Sequence, residues 1–270
     1  MRTRALAALA LCVAGAARAQ GPARVQVQAV PEFTSVAPGS AFRVAVRLRI
    51  PEGCHISWIN PGQSGLPTTL AWQTPSGVDA GEPEWPYPVR DETAGFVSHV
   101  YRGAVVVVTR FQVYSSVRSD AAVLRAALSW GVCGATCVPQ KDTVEISLPI
   151  RRGRGETTAE WRALAPSLED LPLDATSLEV RAAAQGDSVR LMIAGPSLDP
   201  RIGGKVTFFP RPSGAAVAVP VRRAAHGVTV TLPSRALRAL PGGVAGILVA
   251  DEPWLSGSLR RALTVEAAIP

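Results

Sequence analysis

The sequence has little of what most enzymes display. Four cysteines, three histidines and two methionines occur in 270 residues, and aromatic residues make up 6%. No H-E-x-x-H, zinc-ribbon pair, G-x-S-x-G elbow or P-loop is present, so hydrolase and nucleotide chemistry have no visible carrier. His55, His99 and His226 are scattered singly and Met192 is the only methionine after Met1, which leaves a metal site thin in ligands. No long apolar run follows the first 20 residues, so the rest of the chain offers no membrane-spanning helix. Nor is there a dense block of Lys or Arg, which argues against a nucleic-acid partner. What is present is 47% hydrophobic residues with 24 Gly and 23 Pro spread along the whole length. Such punctuation breaks long helices and favours an all-β fold.

The first residues read as an export signal. Arg2 and Arg4 form a positive start, Ala5 to Ala17 an apolar run, and Ala17-Arg18-Ala19 a small-x-small cleavage site. Residues 1–19 are therefore expected to be a signal peptide and the protein periplasmic, with a mature start at Gln20. A lipoprotein with Cys12 acylated is disfavoured, because Leu11 stands where such sites place Gly or Ala. Removal of Arg2, Arg4 and Arg18 takes the formal charge from +7 to +4, an ordinary value.

Phe42 to Ile50 alternates strictly, with Phe42, Val44, Val46, Leu48 and Ile50 on one face and Arg43, Arg47 and Arg49 on the other. Further β-branched runs at 104–113, 122–130 and 144–150, separated by Pro/Gly turns such as Asn60-Pro61-Gly62 and Trp85-Pro86-Tyr87-Pro88, predict a sandwich over residues 20–150. Trp58, Trp72, Trp85 and Trp130 are expected in its core. Residues 151–170 read as a linker with one short helix, opened by a T-x-x-E capping box at Thr157 to Glu160 and stopped by Pro166. Seven strand patterns between 177 and 267 then predict a second, smaller sandwich-like domain over residues 171–270. That domain carries no cysteine, and its role is not legible.

Cys133 and Cys137 flank Gly134-Ala135-Thr136 between two strand patterns, at the tip of an expected hairpin. Export allows disulfides to persist, and Cys54 lies almost 80 residues earlier, so Cys133 pairs naturally with Cys137. Closing so small a loop removes little unfolded-state entropy, which makes the bond a weak staple and favours redox use. Three readings stay open on these residues: an exchanging redox pair, a passive staple in a non-catalytic binding module, and a Cu(I)-binding dithiol. Cys54 is either a small buried hydrophobe or a third redox thiol.

Three motifs in order carry a family resemblance. They are the run Cys54-His55-Ile56-Ser57-Trp58-Ile59-Asn60-Pro61-Gly62-Gln63-Ser64-Gly65-Leu66-Pro67, then Trp85-Pro86-Tyr87-Pro88, then Trp130-x-x-Cys133-x3-Cys137-x-Pro139. Over about residues 25–150 the chain resembles the N-terminal periplasmic domain of the thiol:disulfide interchange protein DsbD and its ScsB-like relatives. The resemblance implies an immunoglobulin-like β-sandwich and no cofactor. It also implies a protein-disulfide reductase component that relays electrons through Cys133 and Cys137, supported by Trp130 and Pro139. The implied partners are a membrane-embedded, DsbD-like thiol reductase and oxidised periplasmic proteins, with Cys137 facing the client. It further implies a cap loop, matched here by Asp91 to Phe96. Phe96 would be the lid aromatic, and Asp91 or Glu92 would raise a thiol pKa by repelling the thiolate. Full-length DsbD continues into membrane helices and a thioredoxin-like domain that this sequence lacks.

Overall fold

The computed structural model describes residues 24–93, 95–236 and 243–269. The expected signal peptide lies outside the described residues. Among those residues no helix is long and apolar enough to cross a membrane.

Ten strands build the first domain: β1 (Gln26–Pro31), β2 (Ala41–Arg49), β3 (Ile56–Gly62), β4 (Thr69–Gln73), β5 (Val78–Ala80), β6 (Val89–Thr93), β7 (Phe96–Tyr101), β8 (Ala104–Val113), β9 (Ala121–Cys133) and β10 (Cys137–Pro149). One layer is the sheet β1-β2-β8-β5. Facing it are β10-β9-β4 and β3-β7-β6, which meet at a bridge between His55 and Cys133. The alternation read from Phe42 to Ile50 turns Val46 and Leu48 inward, where they meet Val105, Val107, Trp58 and Trp130. Trp58, Trp85 and Trp130 are buried as expected, whereas Trp72 is only partly so.

Residues 151–170 are packed rather than free. Trp161, Leu164 and Leu171 cover Ala45, Val106 and Val108 on the outer face of the first sheet. That cover explains why Ala45, on the nominally polar face of β2, is fully buried. Two short helices replace the single one expected, α1 (Ala159–Ala163) and α2 (Ala165–Leu168). The N-cap is Thr158, one residue later than the capping-box pattern, and its Oγ1 accepts from Trp161 N–H at 3.1 Å. Pro166 does not stop a helix but sits in the first turn of α2, where no intrahelical N–H is needed.

All seven strands expected in the second domain form: β11 (Glu179–Gln185), β12 (Ser188–Ala194), β13 (Lys205–Pro210), β14 (Val217–Ala224), β15 (Gly227–Pro233), β16 (Gly243–Ala250) and β17 (Ala262–Ala268). β14 serves two neighbours. Its first half pairs with β13 and its second half with β15, so one strand carries the sheet around the core. The two domains share a seam in which Phe209, Ala216, Ile247 and Ala262 join the core of the first sandwich. Trp58 meets Phe209 edge-on at 6.2 Å between ring centroids.

Polar groups lock that seam. Asn60 Nδ2 donates to the carbonyls of Pro210 (2.7 Å) and Gly214 (3.0 Å). His99, fully buried, donates from Nδ1 to Asn60 O at 2.8 Å and accepts at Nε2 from Ala216 N–H at 2.9 Å. Burial, reinforced by the Arg90 charge, holds its pKa down to about 4 despite the Asn60 hydrogen bond.

Candidate functional site: a hairpin-tip disulfide

β9 alternates, with Leu124, Ala126, Leu128, Trp130 and Val132 facing inward. Cys133, one residue beyond Val132, therefore faces outward. Cys137 stands directly opposite it across the hairpin, and the two are joined by a disulfide with 4.0 Å between Cα atoms. The backbone explains why a bond fits there. Cys133 N–H donates to His55 O and its carbonyl accepts from His55 N–H, both at 2.9 Å. A strand residue aims both backbone groups to one side, so none is left for Cys137. Cys133 and Cys137 thus form a non-hydrogen-bonded pair, the kind in which opposing side chains approach most closely. Gly134 N–H donates to Thr136 O at 3.1 Å and closes the three-residue turn.

The two sulfurs differ in access. Cys133 is 3% exposed, whereas Cys137 lies open on the hairpin edge beside Val138, itself 40% exposed. The segment after β3 helps cover the outer face, since Leu66 lies over Gly131 so closely that a Cβ there would stand 3.2 Å from it. Pro139 pairs with Gly131 two residues along from the disulfide. Trp130 points into the core rather than at the sulfurs.

The segment expected to be a cap loop is the end of a hairpin formed by β6 and β7. Phe96 begins β7 and is 55% exposed, which excludes a core role. Asp91 is bound by Arg102 at 3.0 Å and by Thr93 Oγ1 at 3.1 Å. Burial opposes its ionisation, but these hydrogen bonds outweigh it and hold the carboxyl below its usual value. Glu92 pairs with Arg90 at 2.9 Å. Both carboxylates are therefore engaged by arginines.

Cys54 is a half-buried free thiol packed against the first core. It faces Gly134 across the bridge, so its side chain points to the opposite side from Cys133. His55 was not singled out by the sequence motifs as a neighbour of the sulfurs, and Asn60 read only as part of a turn. Both placements depend on strands distant in sequence. Burial lowers the pKa of His55, the Arg102 charge lowers it further, and Asp91 opposes both. Among the described residues no group of three or more His, Cys, Asp or Glu is placed to hold a metal ion.

The model of the thiol:disulfide interchange protein DsbD, N-terminal, matches residues 24–149. No curated protein matches the chain by sequence. Among solved structures, the N-terminal periplasmic domain of ScsB from Proteus mirabilis is similar with a TM-score of 0.57 at 16% identity, over 91% of this chain and 93% of that one. The reduced DsbD N-terminal domain of Neisseria meningitidis aligns over 48% of this chain and 90% of its own, at 18% identity and a TM-score of 0.27. The same Neisseria domain in complex with the PilB N-terminal domain gives 18% identity over 48% of this chain and 89% of that one, with a TM-score of 0.26. A match that spans all three motifs and ends at the last residue of β10 describes the first sandwich: residues 24–149 form a DsbD/ScsB-like N-terminal domain.

Proposed function

We propose that the first domain is a thiol–disulfide exchange module acting in the periplasm after export. In this reading it relays electrons from a membrane-embedded thiol reductase to oxidised proteins. The observation that carries the reading is the unequal access of the two sulfurs, with Cys137 open and Cys133 covered. An attacking thiolate reaches Cys137 Sγ, forms a mixed disulfide there and leaves the electron pair of the broken bond on Cys133. A second thiol on the partner then resolves the mixed disulfide and frees the dithiol, which repeats the exchange on an oxidised client.

The β6–β7 hairpin is the cap in this reading, and Phe96 is its apolar contact with a docking protein. Asp91 and Glu92 influence the sulfurs through fields already partly cancelled by Arg102 and Arg90. The match of residues 24–149 to the DsbD N-terminal model and the fold support the module.

The deciding experiment is the reduction potential of Cys133–Cys137 in protein starting at Gln20, set by thiol/disulfide buffers and read by trapping free thiols. A potential between about −270 and −120 mV, the range from thioredoxin to strong exchange catalysts, is expected. A value well below about −300 mV, or no reduction without denaturant, identifies a structural staple and overturns the reading.

A further inference from the structure

Opening the disulfide at Cys137 deposits charge in an unfavourable place. The leaving sulfur belongs to Cys133, which is 3% exposed, and burial disfavours a thiolate. A proton carrier beside that sulfur removes the difficulty, and the pairing pattern supplies one. His55 and Cys133 exchange both backbone hydrogen bonds at 2.9 Å. In such a pair the Cα atoms lie about 5.5 Å apart and the two side chains share a face. Cys137 occupies the same face on the other side of Cys133. His55, Cys133 and Cys137 thus form a row across three neighbouring strands. His55 is only half-buried, so its ring can exchange protons with water. The charged groups bearing on it are Arg102 and Asp91, which are paired to each other.

We propose that His55 is a catalytic acid and base that carries the proton of the Cys133 thiol. The inference deepens the exchange reading and rests on it. In the reductive direction a partner thiolate bonds to Cys137 Sγ, the disulfide breaks, and its electron pair goes to Cys133 Sγ, which takes a proton from the imidazolium form of His55 and leaves that ring neutral. The ring regains that proton from water. In the oxidative direction His55 removes the proton from Cys133 Sγ–H. The resulting thiolate attacks Cys137 Sγ in the mixed disulfide, and the client leaves as a thiolate with the electron pair of the broken bond. Burial and the Arg102 charge hold the ring below its ordinary pKa, which favours the neutral form that accepts the Cys133 proton in the oxidative direction, and the protonated ring is the donor in the reductive one.

The test starts from Cys137→Ser protein, in which alkylation of Cys133 by iodoacetamide is followed against pH and mapped by mass spectrometry so that Cys54 is counted separately. Adding His55→Gln or His55→Ala is expected to move the Cys133 profile up by about one pH unit, which leaves about tenfold less thiolate at pH 7. A loss of packing alone scales the rate equally at every pH. An unmoved profile in both variants overturns the proposal. Should the variants fail to fold, the His55 imidazole is titrated by NMR in the otherwise native protein. Its pKa is expected to change when the disulfide is reduced, and an unchanged value overturns the proposal.

The potential of the native disulfide separates the two claims. A staple-like potential with a shifted alkylation profile sinks the exchange reading and leaves the His55–Cys133 proton contact standing. A relay-like potential with an unshifted profile sinks the His55 proposal alone.

Discussion

The two cysteines are chemically unequal because Cys133 lies between neighbours, bridged to His55 on one side and paired with Cys137 on the other, whereas Cys137 lies on the edge strand β10. Replacing both Cys133 and Cys137 by Ser is expected to abolish thiol exchange with a thioredoxin-like reductant while the fold persists. In the chain-entropy account so short a loop contributes about 2 kcal/mol, equivalent to a fall in Tm of about 4–8 °C, which calorimetry of the variant checks. Loss of the cooperative transition in that variant would instead mark the bond as structural. His99 makes a second residue-level prediction. Its pKa in the fold, about 4, lies below the ordinary histidine value, so the unfolded chain binds a proton that the folded chain refuses. The contribution of the neutral ring is fully present above about pH 6.5 and declines as pH falls towards 4, by about 3 kcal/mol in all. Urea unfolding at pH 7 and pH 4.5 is expected to show this loss in the native protein and a smaller one in His99→Gln. The cysteine pair was legible from its spacing alone. His55 was not, because its partner lies 78 positions away and only the register of two separate sheets brings them together.

Strand patterns with clean alternation or β-branched runs were readable, which is why β2, β8 and all seven strands of the second domain appear where expected. β6 and β7 were not readable, because Val89–Thr93 holds three charged residues and its pattern lacks an inward face. They exist because β3 gives β7 a partner, across an irregular register between Ser57 and Gly62. Gly62 makes that junction possible. It adopts φ +81°, and a Cβ there would meet Val97 O at 2.4 Å. Gly62→Ala is therefore expected to destabilise the protein by at least about 2 kcal/mol and to loosen β7, because both strain and a backbone clash oppose it. Hydrogen exchange at Val97 and Ser98 reads the second effect, and unchanged protection there would contradict it. Pro166 teaches a related lesson. A proline marks the end of one helix or the start of the next, and only the packing of Leu164 decides which.

At the scale of the whole molecule, Asn60 and His99 turn two sandwiches into one mechanical unit. Asn60→Ala leaves the Pro210 and Gly214 carbonyls without their donor in a closed seam, a loss of about 2–4 kcal/mol for two such groups. Calorimetry is expected to show the transitions of the two domains separating in this variant. Arg261→Ala, which removes an exposed bond to Tyr87 OH, is expected to leave the coupling intact. The sequence predicts two domains and is silent on the contacts between them, since Asn-Pro-Gly carries the same turn signal whether or not its first side chain reaches across to a neighbour. A last consequence concerns encounters between molecules. Because Cys133 and Cys137 form a non-hydrogen-bonded pair, Gly131 and Pro139, two steps along, form another, and the backbone of Pro139 points to the free side of β10. Where any other residue would offer an N–H to a passing strand, Pro139 offers a ring. A hairpin tip that must stay open for its sulfur, with Val138 bare beside it, thus lacks one of the edge donors that a second copy would use to zip onto it, and pairing along this edge is weakened where the sulfur is exposed.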